Sequence, residues 1–306
     1  MSMIERSDSF RRYERLLVQL AQAMAARPRD EALCETISEQ MDESGFALSR
    51  EELALANDIS GDLYMLESAE VFEPAGMPEP ELARRILVAY AQEEWATLLD
   101  LLRHHCAAVR RPEVAYIRAR AYEQLKAPMT AWAFMDFAAK IDSGNPNLAA
   151  MALERRWRAG DIEGAVQEST QALKDPSAAP RLKVIASTVL IRCQRRDELV
   201  LADWINALRD ALLNEEGSRN RLLSVIAGGY GLLGMLLADA GDNVGSMEAF
   251  SRYLRFSGGP GIAGSSRAAV AAALARNTTL SQAAQASLVE MAMQSVESNG
   301  SPLIAA

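Results

Sequence analysis

The sequence predicts an all-α protein built as a solenoid of stacked, antiparallel helical hairpins. Apolar residues make up 49% of the 306 residues but aromatic residues only 6%, so much of the apolar content is small or aliphatic and suits closely packed helices. Apolar side chains recur at three- and four-residue spacings, as on one face of a helix. No segment shows the sustained alternation of β-branched and polar residues that is typical of strands.

The N-terminal part of the chain, residues 1–73, predicts an acidic helical unit. Residues 7–26 carry their apolar side chains on one face of a helix. Ser49 and Glu52 have the spacing of a capping box, which predicts the start of another helix. In the pattern that follows, Gly61 predicts a break, because glycine weakens a helix interior.

A proline-rich stretch separates this unit from the middle of the chain. Residues 72–80 contain three prolines and one glycine, and each proline removes a backbone donor and restricts the residue before it. We therefore expect three parts: the acidic unit 1–73, a repeat region 74–257, and a C-terminal helical pair at 258–306 that caps the repeats.

Comparison of the sequence with itself at a fixed offset reveals a repeat. Ala131 and Ala165 are 34 residues apart, and so are Ala138 and Ala172. Ala131 and Ala138 fall on the second helix of one predicted hairpin, and Ala165 and Ala172 fall on the second helix of the next; a proline follows each helix. One small residue allows close packing against the first helix of the same hairpin, and the other allows close packing against the next hairpin.

Other segments continue the pattern. Residues 230–253 match well, with Gly234 and Ser246 as the small residues and aromatic residues around them. A unit upstream of Pro112 continues the phase roughly, with Trp95 between its helices. Residues 181–214 predict another hairpin, whose residues at the repeat positions fit poorly.

This pattern resembles the tetratricopeptide repeat, a 34-residue helical hairpin. The resemblance covers about residues 80–257 and implies a right-handed α-solenoid whose first helices line a groove. It also implies a non-enzymatic protein-interaction module, such as an adaptor, scaffold or chaperone-like protein, that binds a peptide or a partner protein. Another α-solenoid or an irregular helical bundle is the alternative fold.

The repeat phase places charged and aromatic side chains of successive first helices toward this groove. Arginine and aromatic residues are common anchors in peptide-binding interfaces. These groove-facing side chains do not reproduce the Lys/Asn clamp with which some tetratricopeptide proteins bind a C-terminal carboxylate. The alternative for the arginine-rich clusters is a solvated face that pairs with local acidic residues. The predicted partner-binding residues are Tyr90, Tyr116, Arg120, Glu123, Gln124, Glu154, Trp157, Arg158 and Arg192.

The charge of the chain is acidic overall and unevenly distributed. The formal net charge is −9, with −12 in residues 1–100 and +5 in residues 101–200. An acidic balance argues against nucleic-acid binding, which uses a basic surface. The asymmetry predicts either that the acidic head (residues 1–100) packs against the basic middle (residues 101–200) or that the basic middle binds an acidic partner.

No constellation predicts a catalytic site, a cofactor or a metal site. His104 and His105 are adjacent, so on a helix they point about 100° apart and cannot share a metal ion. Cys106 beside them fits a small buried residue. Residues 259–264 have the glycine spacing of a phosphate loop, but Ser265 stands where that loop needs lysine. An enzyme with a helical fold is the least favoured class.

The sequence also predicts a cytoplasmic protein. Its three cysteines are widely separated, which fits neither a disulfide framework nor a zinc site. The N-terminus lacks the apolar core of a signal peptide, and no run approaches the roughly 18 apolar residues that span a bilayer. The excess of 28 arginines over 4 lysines indicates a GC-rich bacterial genome. A self-assembling subunit of a larger secretion or membrane-associated machine, forming a homo-oligomer, is the alternative function.

Overall fold

A computed structural model describes residues 6–26, 28–67, 80–104, 111–195, 197–218 and 222–256, which form α-helices joined by turns and contain no strand. These helices are α1 (Asp8–Ala25), α2 (Glu31–Gly45), α3 (Arg50–Glu67), α4 (Pro80–Ala91), α5 (Trp95–His104), α6 (Arg111–Gln124), α7 (Pro128–Ile141), α8 (Pro146–Arg158), α9 (Ile162–Lys174), α10 (Pro180–Arg192), α11 (Leu201–Gly217), α12 (Leu223–Asp239) and α13 (Asn243–Phe256). The all-α prediction is confirmed.

The chain forms two compact units, which divide between Ile162 and Glu163. In the first unit α4 to α8 pack in series, and α1 packs against α2, α3 and α7. In the second unit α10 to α13 pack in series. The predicted boundaries at 73/74 and 257/258 fall outside the described residues, as do His105, Cys106, the glycine-rich stretch and the C-terminal helical pair. These stay predictions.

The helices α1 and α3 begin where the sequence predicts. The Ser7 hydroxyl accepts a hydrogen bond from the Phe10 amide at the start of α1. The predicted capping box is confirmed, because the Glu52 amide donates to the Ser49 hydroxyl (3.2 Å) and the Ser49 amide donates to the Glu52 carboxylate (3.0 Å). Glu52 also accepts from the Ser7 amide at 2.9 Å, which ties the start of α1 to the start of α3. Burial raises the pKa of Glu52, but its bonds with Ser7 and Ser49 outweigh burial and lower it to about 2.

The break predicted at Gly61 is wrong, because α3 runs through it from Arg50 to Glu67. Ile59, Asp62 and Leu63 are buried on the inner face of α3, while Gly61 lies on the exposed side. A glycine inside a helix costs about 1 kcal/mol. The packing of the inner face outweighs this local preference.

Five helix pairs in the described residues share one turn after their first helix. The second residue beyond the helix has a positive φ, and its amide and the next amide bond back to carbonyls of the last helical turn. After α6, for example, the Lys126 amide donates to the Glu123 carbonyl and the Ala127 amide to the Tyr122 carbonyl, which is a Schellman motif. The left-handed residues are Glu93, Lys126, Gly160, Gln194 and Gly241.

These turns carry the repeat period directly. Residues 93, 126, 160 and 194 follow one another at intervals of 33, 34 and 34 residues. The predicted upstream unit therefore exists as α4 and α5, and Trp95 begins the second of these helices.

The poor fit of residues 181–214 has a structural cause. After the other four left-handed residues the second helix begins two residues later, but after Gln194 it begins only at Leu201. The added residues shift the phase of α11, so that Leu199 precedes the helix and Asp203 and Asn206 lie on its exposed side. A comparison at a fixed offset cannot follow such an insertion.

The small residues of the repeat are at close helix contacts. All four alanines of the 34-residue pattern are buried. A Cβ added to Gly234 would lie 2.7 Å from the Phe250 ring, and the Ser246 hydroxyl donates to the Gly234 carbonyl at 2.8 Å. Hence α12 and α13 can approach this closely only because Gly234 has no side chain.

Two Gly→Ala substitutions are expected to act in opposite directions. Gly160 has φ +84°, so Gly160→Ala forces an L-residue into the left-handed region and should lower the free energy of unfolding by about 1 kcal/mol. Gly61→Ala should raise it by about 0.5–1 kcal/mol, because the site is helical with open space around it. Urea denaturation measures the change in the free energy of unfolding for each variant. Changes of the same sign in both variants would contradict the assigned backbone conformations.

Candidate functional site

The structure brings together predicted residues from the ends of α6 and α8. The Glu123 carboxylate accepts hydrogen bonds from Arg120 (3.1 Å) and Arg155 (2.9 Å) and lies 3.8 Å from Arg158. Arg158 also pairs with Glu154 at 2.6 Å. We call these five residues the Glu123 cluster. Four of them were predicted from the repeat phase, and Arg155 was missed.

Aromatic residues extend this surface toward α4. Burial lowers the pKa of Arg120, but a hydrogen bond with Tyr90 and the charge of Glu123 outweigh it, so the net shift is upward. Tyr116 contributes to the same rise. The Tyr90 ring packs edge-to-face on Trp95, with centroids 5.7 Å apart. Tyr90, Tyr116 and Arg120 therefore form one continuous patch with the Glu123 cluster.

The other predicted residues are placed less centrally. Gln124 is exposed at the end of α6, and Trp157 is half-buried on α8 beside Arg158. Arg192 is exposed at the end of α10, in the second unit. Their part in partner binding stays a prediction.

Two of the sequence-predicted surface arginines are buried, so the solvated-face interpretation is wrong for them. Arg118 is 0% exposed and Arg155 is 7% exposed. What indicates this burial in the sequence is the position of each arginine on its helix relative to core residues. Arg118 lies four residues before the core residue Tyr122, and Arg155 lies seven residues after Leu148, so both share the buried face of their helix.

Asp62 of α3 neutralises the buried arginine of α6. The Asp62 carboxylate is fully buried, accepts from Arg103 Nε at 2.8 Å and from the Tyr122 hydroxyl at 2.5 Å, and lies 3.8 Å from Arg118. Burial, with the adjacent charge of Asp62, raises the pKa of Tyr122 well above its ordinary value. This network ties the acidic head to the basic middle, as one interpretation of the charge asymmetry predicted.

Glu14 of α1 caps a helix from elsewhere in the fold. Its Oε1 accepts a hydrogen bond from the Thr130 amide at 2.7 Å, and α7 has no capping side chain of its own because Ala127 occupies the N-cap position. Burial raises the pKa of Glu14 to about 7, although the amides of Thr130 and Met129 and the charge of Arg15 oppose the rise. The start of α7 thus depends on α1.

The second unit contains its own buried ion pair. Arg181 of α10 and Glu215 of α11 are both buried and 2.5 Å apart. The Trp204 indole donates to the Ser187 hydroxyl at 2.9 Å in the same core. These bonds fix the pairing of α10 with α11, since each buried polar group there needs its partner.

The described ranges contain no candidate metal site and no membrane-spanning helix. No group of three or more His, Cys, Asp or Glu side chains there could hold a metal ion. The exposed His104 contacts the Asp100 carbonyl of its own helix at 2.9 Å. None of the helices described is both long and apolar enough to cross a bilayer.

No family model and no curated protein matches the sequence. A crystal structure of the TPR domain of P58(IPK) at 2.5 Å is similar over 95% of this chain and 80% of that chain, with 14% identity and a TM-score of 0.29. The class follows from the structure itself: this is an α-helical protein whose hairpins pack in series within each unit, consistent with tetratricopeptide-like repeats.

Proposed function

We propose that this chain is a non-enzymatic protein-interaction module, an adaptor, scaffold or chaperone-like protein, that binds a peptide or a partner protein. The binding surface is formed by α4, α6 and α8. The observation that supports it is the Glu123 cluster, a set of charges on α6 and α8 that is continuous with Tyr90 and Tyr116 and in which only Arg155 is buried.

The chemistry of this surface suits a protein ligand. The side chains of Arg120 and Arg158 are 34% and 55% exposed, so a ligand carboxylate or carbonyl can reach both. Glu123 already orients these guanidinium groups, which lowers the entropy lost when a partner binds. Leu87 lies one turn before Tyr90 and is 64% exposed. It offers an apolar contact beside the charges, and protein interfaces commonly combine apolar and charged contacts.

The proposal is tested by affinity capture from native lysate. The combination of Tyr90→Ala with Arg120→Glu should abolish capture of a specific protein that the wild type retains, because it removes an aromatic anchor and reverses a charge. Arg12→Glu is the control, since Arg12 is exposed on α1 and lies outside the patch. The captured protein is then purified and its dissociation constant measured with all three forms, and equal constants would refute the assignment.

A second candidate function is self-assembly into a structural homo-oligomer. In the second unit, Val244 and Leu213 are 82% and 52% exposed and border the same cleft of about 440 Å³. Exposed apolar residues of this kind can mark a subunit interface. Under this candidate, sedimentation equilibrium should give a mass above that of one chain, and Val244→Glu should return it to the monomer value.

We further propose that the protein is bacterial and cytoplasmic and does not bind nucleic acid. Cys34 is a free thiol, as in a reducing compartment. The arginine-rich, acidic composition supports the bacterial source and disfavours polyanion binding.

A further inference from the structure

A concave site adjoins the Glu123 cluster and shares Glu123 and Arg158 with it. A cleft of about 550 Å³, here called the α1 cleft, opens between α1 and the turns that follow α6 and α8. Basic side chains reach it from three elements: Arg11 and Arg15 from α1, Lys126 from the turn after α6, and Arg158 from the end of α8. Because α1 precedes the repeat hairpins, the repeat pattern did not predict this cleft.

The walls of the α1 cleft are fixed by buried contacts. Glu14 holds α1 to the start of α7 through the Thr130 amide, and the Phe10 side chain of α1 is fully buried. Arg6 donates to the Leu125 carbonyl at 3.2 Å, and its guanidinium lies 5.5 Å from the centroid of the Phe10 ring. A ligand would therefore meet a preformed cleft, which lowers the entropic cost of binding.

Positive charge dominates this cleft in a chain that is acidic overall. Five basic side chains border it against two carboxylates, those of Glu14 and Glu123, and Glu123 is engaged by arginines. Within the described residues, no ion pair or side-chain hydrogen bond is formed by Arg15 or Lys126. Lys126 also holds the strained left-handed turn position that Gly160 occupies in the next pair.

The buried carboxylate of Glu14 also borders the cleft. Glu14 is 1% exposed, and its Oε1 accepts the hydrogen bond from the Thr130 amide. Because a buried polar group of this kind needs its hydrogen-bond partner, this bond fixes one wall of the cleft.

The geometry points to the α1 cleft as a binding site for an acidic peptide segment, whose carboxylates contact Arg15, Lys126 and Arg158. This inference rests on the proposed function, because it names the chemistry of the bound peptide. Charge-assisted bonds between carboxylates and guanidinium or ammonium groups are the strong ones in proteins. The volume suits several side chains rather than one small anion. A long polyanion is disfavoured because residues 1–100, which include α1, carry a net charge of −12.

The test measures binding of a fluorescent hexaglutamate peptide to the full chain by anisotropy at low salt. The double variant Arg15→Glu with Lys126→Glu should weaken binding by at least about tenfold, since both are direct charge partners of the ligand. The control is Arg12→Glu with Arg85→Glu, which makes the same change in net charge at two exposed sites. It should shift the dissociation constant by less than about twofold.

Several outcomes would overturn the inference. One is equal weakening by the two double variants, which would show attraction by overall charge alone. Another is the absence of measurable hexaglutamate binding to the wild type, or tighter binding of inorganic phosphate or a hexathymidine oligonucleotide. If the peptide does not bind but lysate capture still depends on Tyr90 and Arg120, the proposed function stands and only the inference fails.

Discussion

Replacing Asp62 with alanine is expected to lower the free energy of unfolding by about 3–5 kcal/mol, because the change removes a carboxylate that neutralises buried positive charge. Arg118 is 0% exposed and Asp62 is its neutralising carboxylate, 3.8 Å away. The same substitution removes the acceptor of the Tyr122 hydroxyl and of Arg103. Chemical denaturation monitored by circular dichroism measures the loss.

The same network supplies a matched control for this prediction. Asp58 also pairs with Arg103, at 3.1 Å, but its side chain is 52% exposed, so Asp58→Ala should cost less than about 1 kcal/mol. Combining Asp62→Leu with Arg118→Met should recover much of the lost stability, because it removes both charges at once. A cost for Asp62→Ala as small as that for Asp58→Ala would show that Asp62 does not stabilise Arg118.

The stability of the first unit is expected to fall as the pH rises through neutrality, because of Glu14. Its pKa is about 7 in the folded protein and 4.5 as the ordinary value, so the folded state binds the proton more tightly. This stabilisation is fully present below about pH 4.5 and is lost as the pH rises through about 7. The shift corresponds to about 3 kcal/mol over this interval.

Comparison with Glu14→Gln isolates this contribution. Glutamine keeps an oxygen for the Thr130 amide but does not titrate, so this part of the pH dependence should vanish in the variant. The free energy of unfolding is measured for both proteins at about pH 5 and about pH 8, and the contributions of the other groups cancel in the difference. Parallel pH profiles for the two proteins would contradict the raised pKa of Glu14.

The sequence predicted those features that depend on neighbouring residues. The capping box of Ser49 and Glu52, the small residues at Ala131 and Ala138, and the grouping of Arg120 with Glu123 all follow from spacings of a few residues or one repeat. Each is set by local geometry, and each is present in the structure.

The features that the sequence did not predict depend on long-range contacts. Glu14 and Thr130 are 116 residues apart, and Asp62 and Arg103 are 41 residues apart, so no local pattern pairs them. The left-handed turns at Lys126 and Gln194 were not predicted, because non-glycine residues occupy the positions where glycine indicates such a turn. In the sequence, the burial of Arg118 is indicated only by its position four residues before Tyr122, on the same face of α6.

The contacts of α1 and α3 with the rest of their unit determine how the role of the acidic head can be dissected. Deleting residues 1–73 would at first sight test whether this segment covers the binding surface or docks a second partner. That truncation also removes Glu14, which caps α7, Phe10, which is part of the core, and Asp62, which neutralises Arg118. A shortened protein that lost its partner would report damaged folding and recognition together. Charge reversals on the exposed faces of α1 and α2 separate the two effects, because they leave these contacts in place.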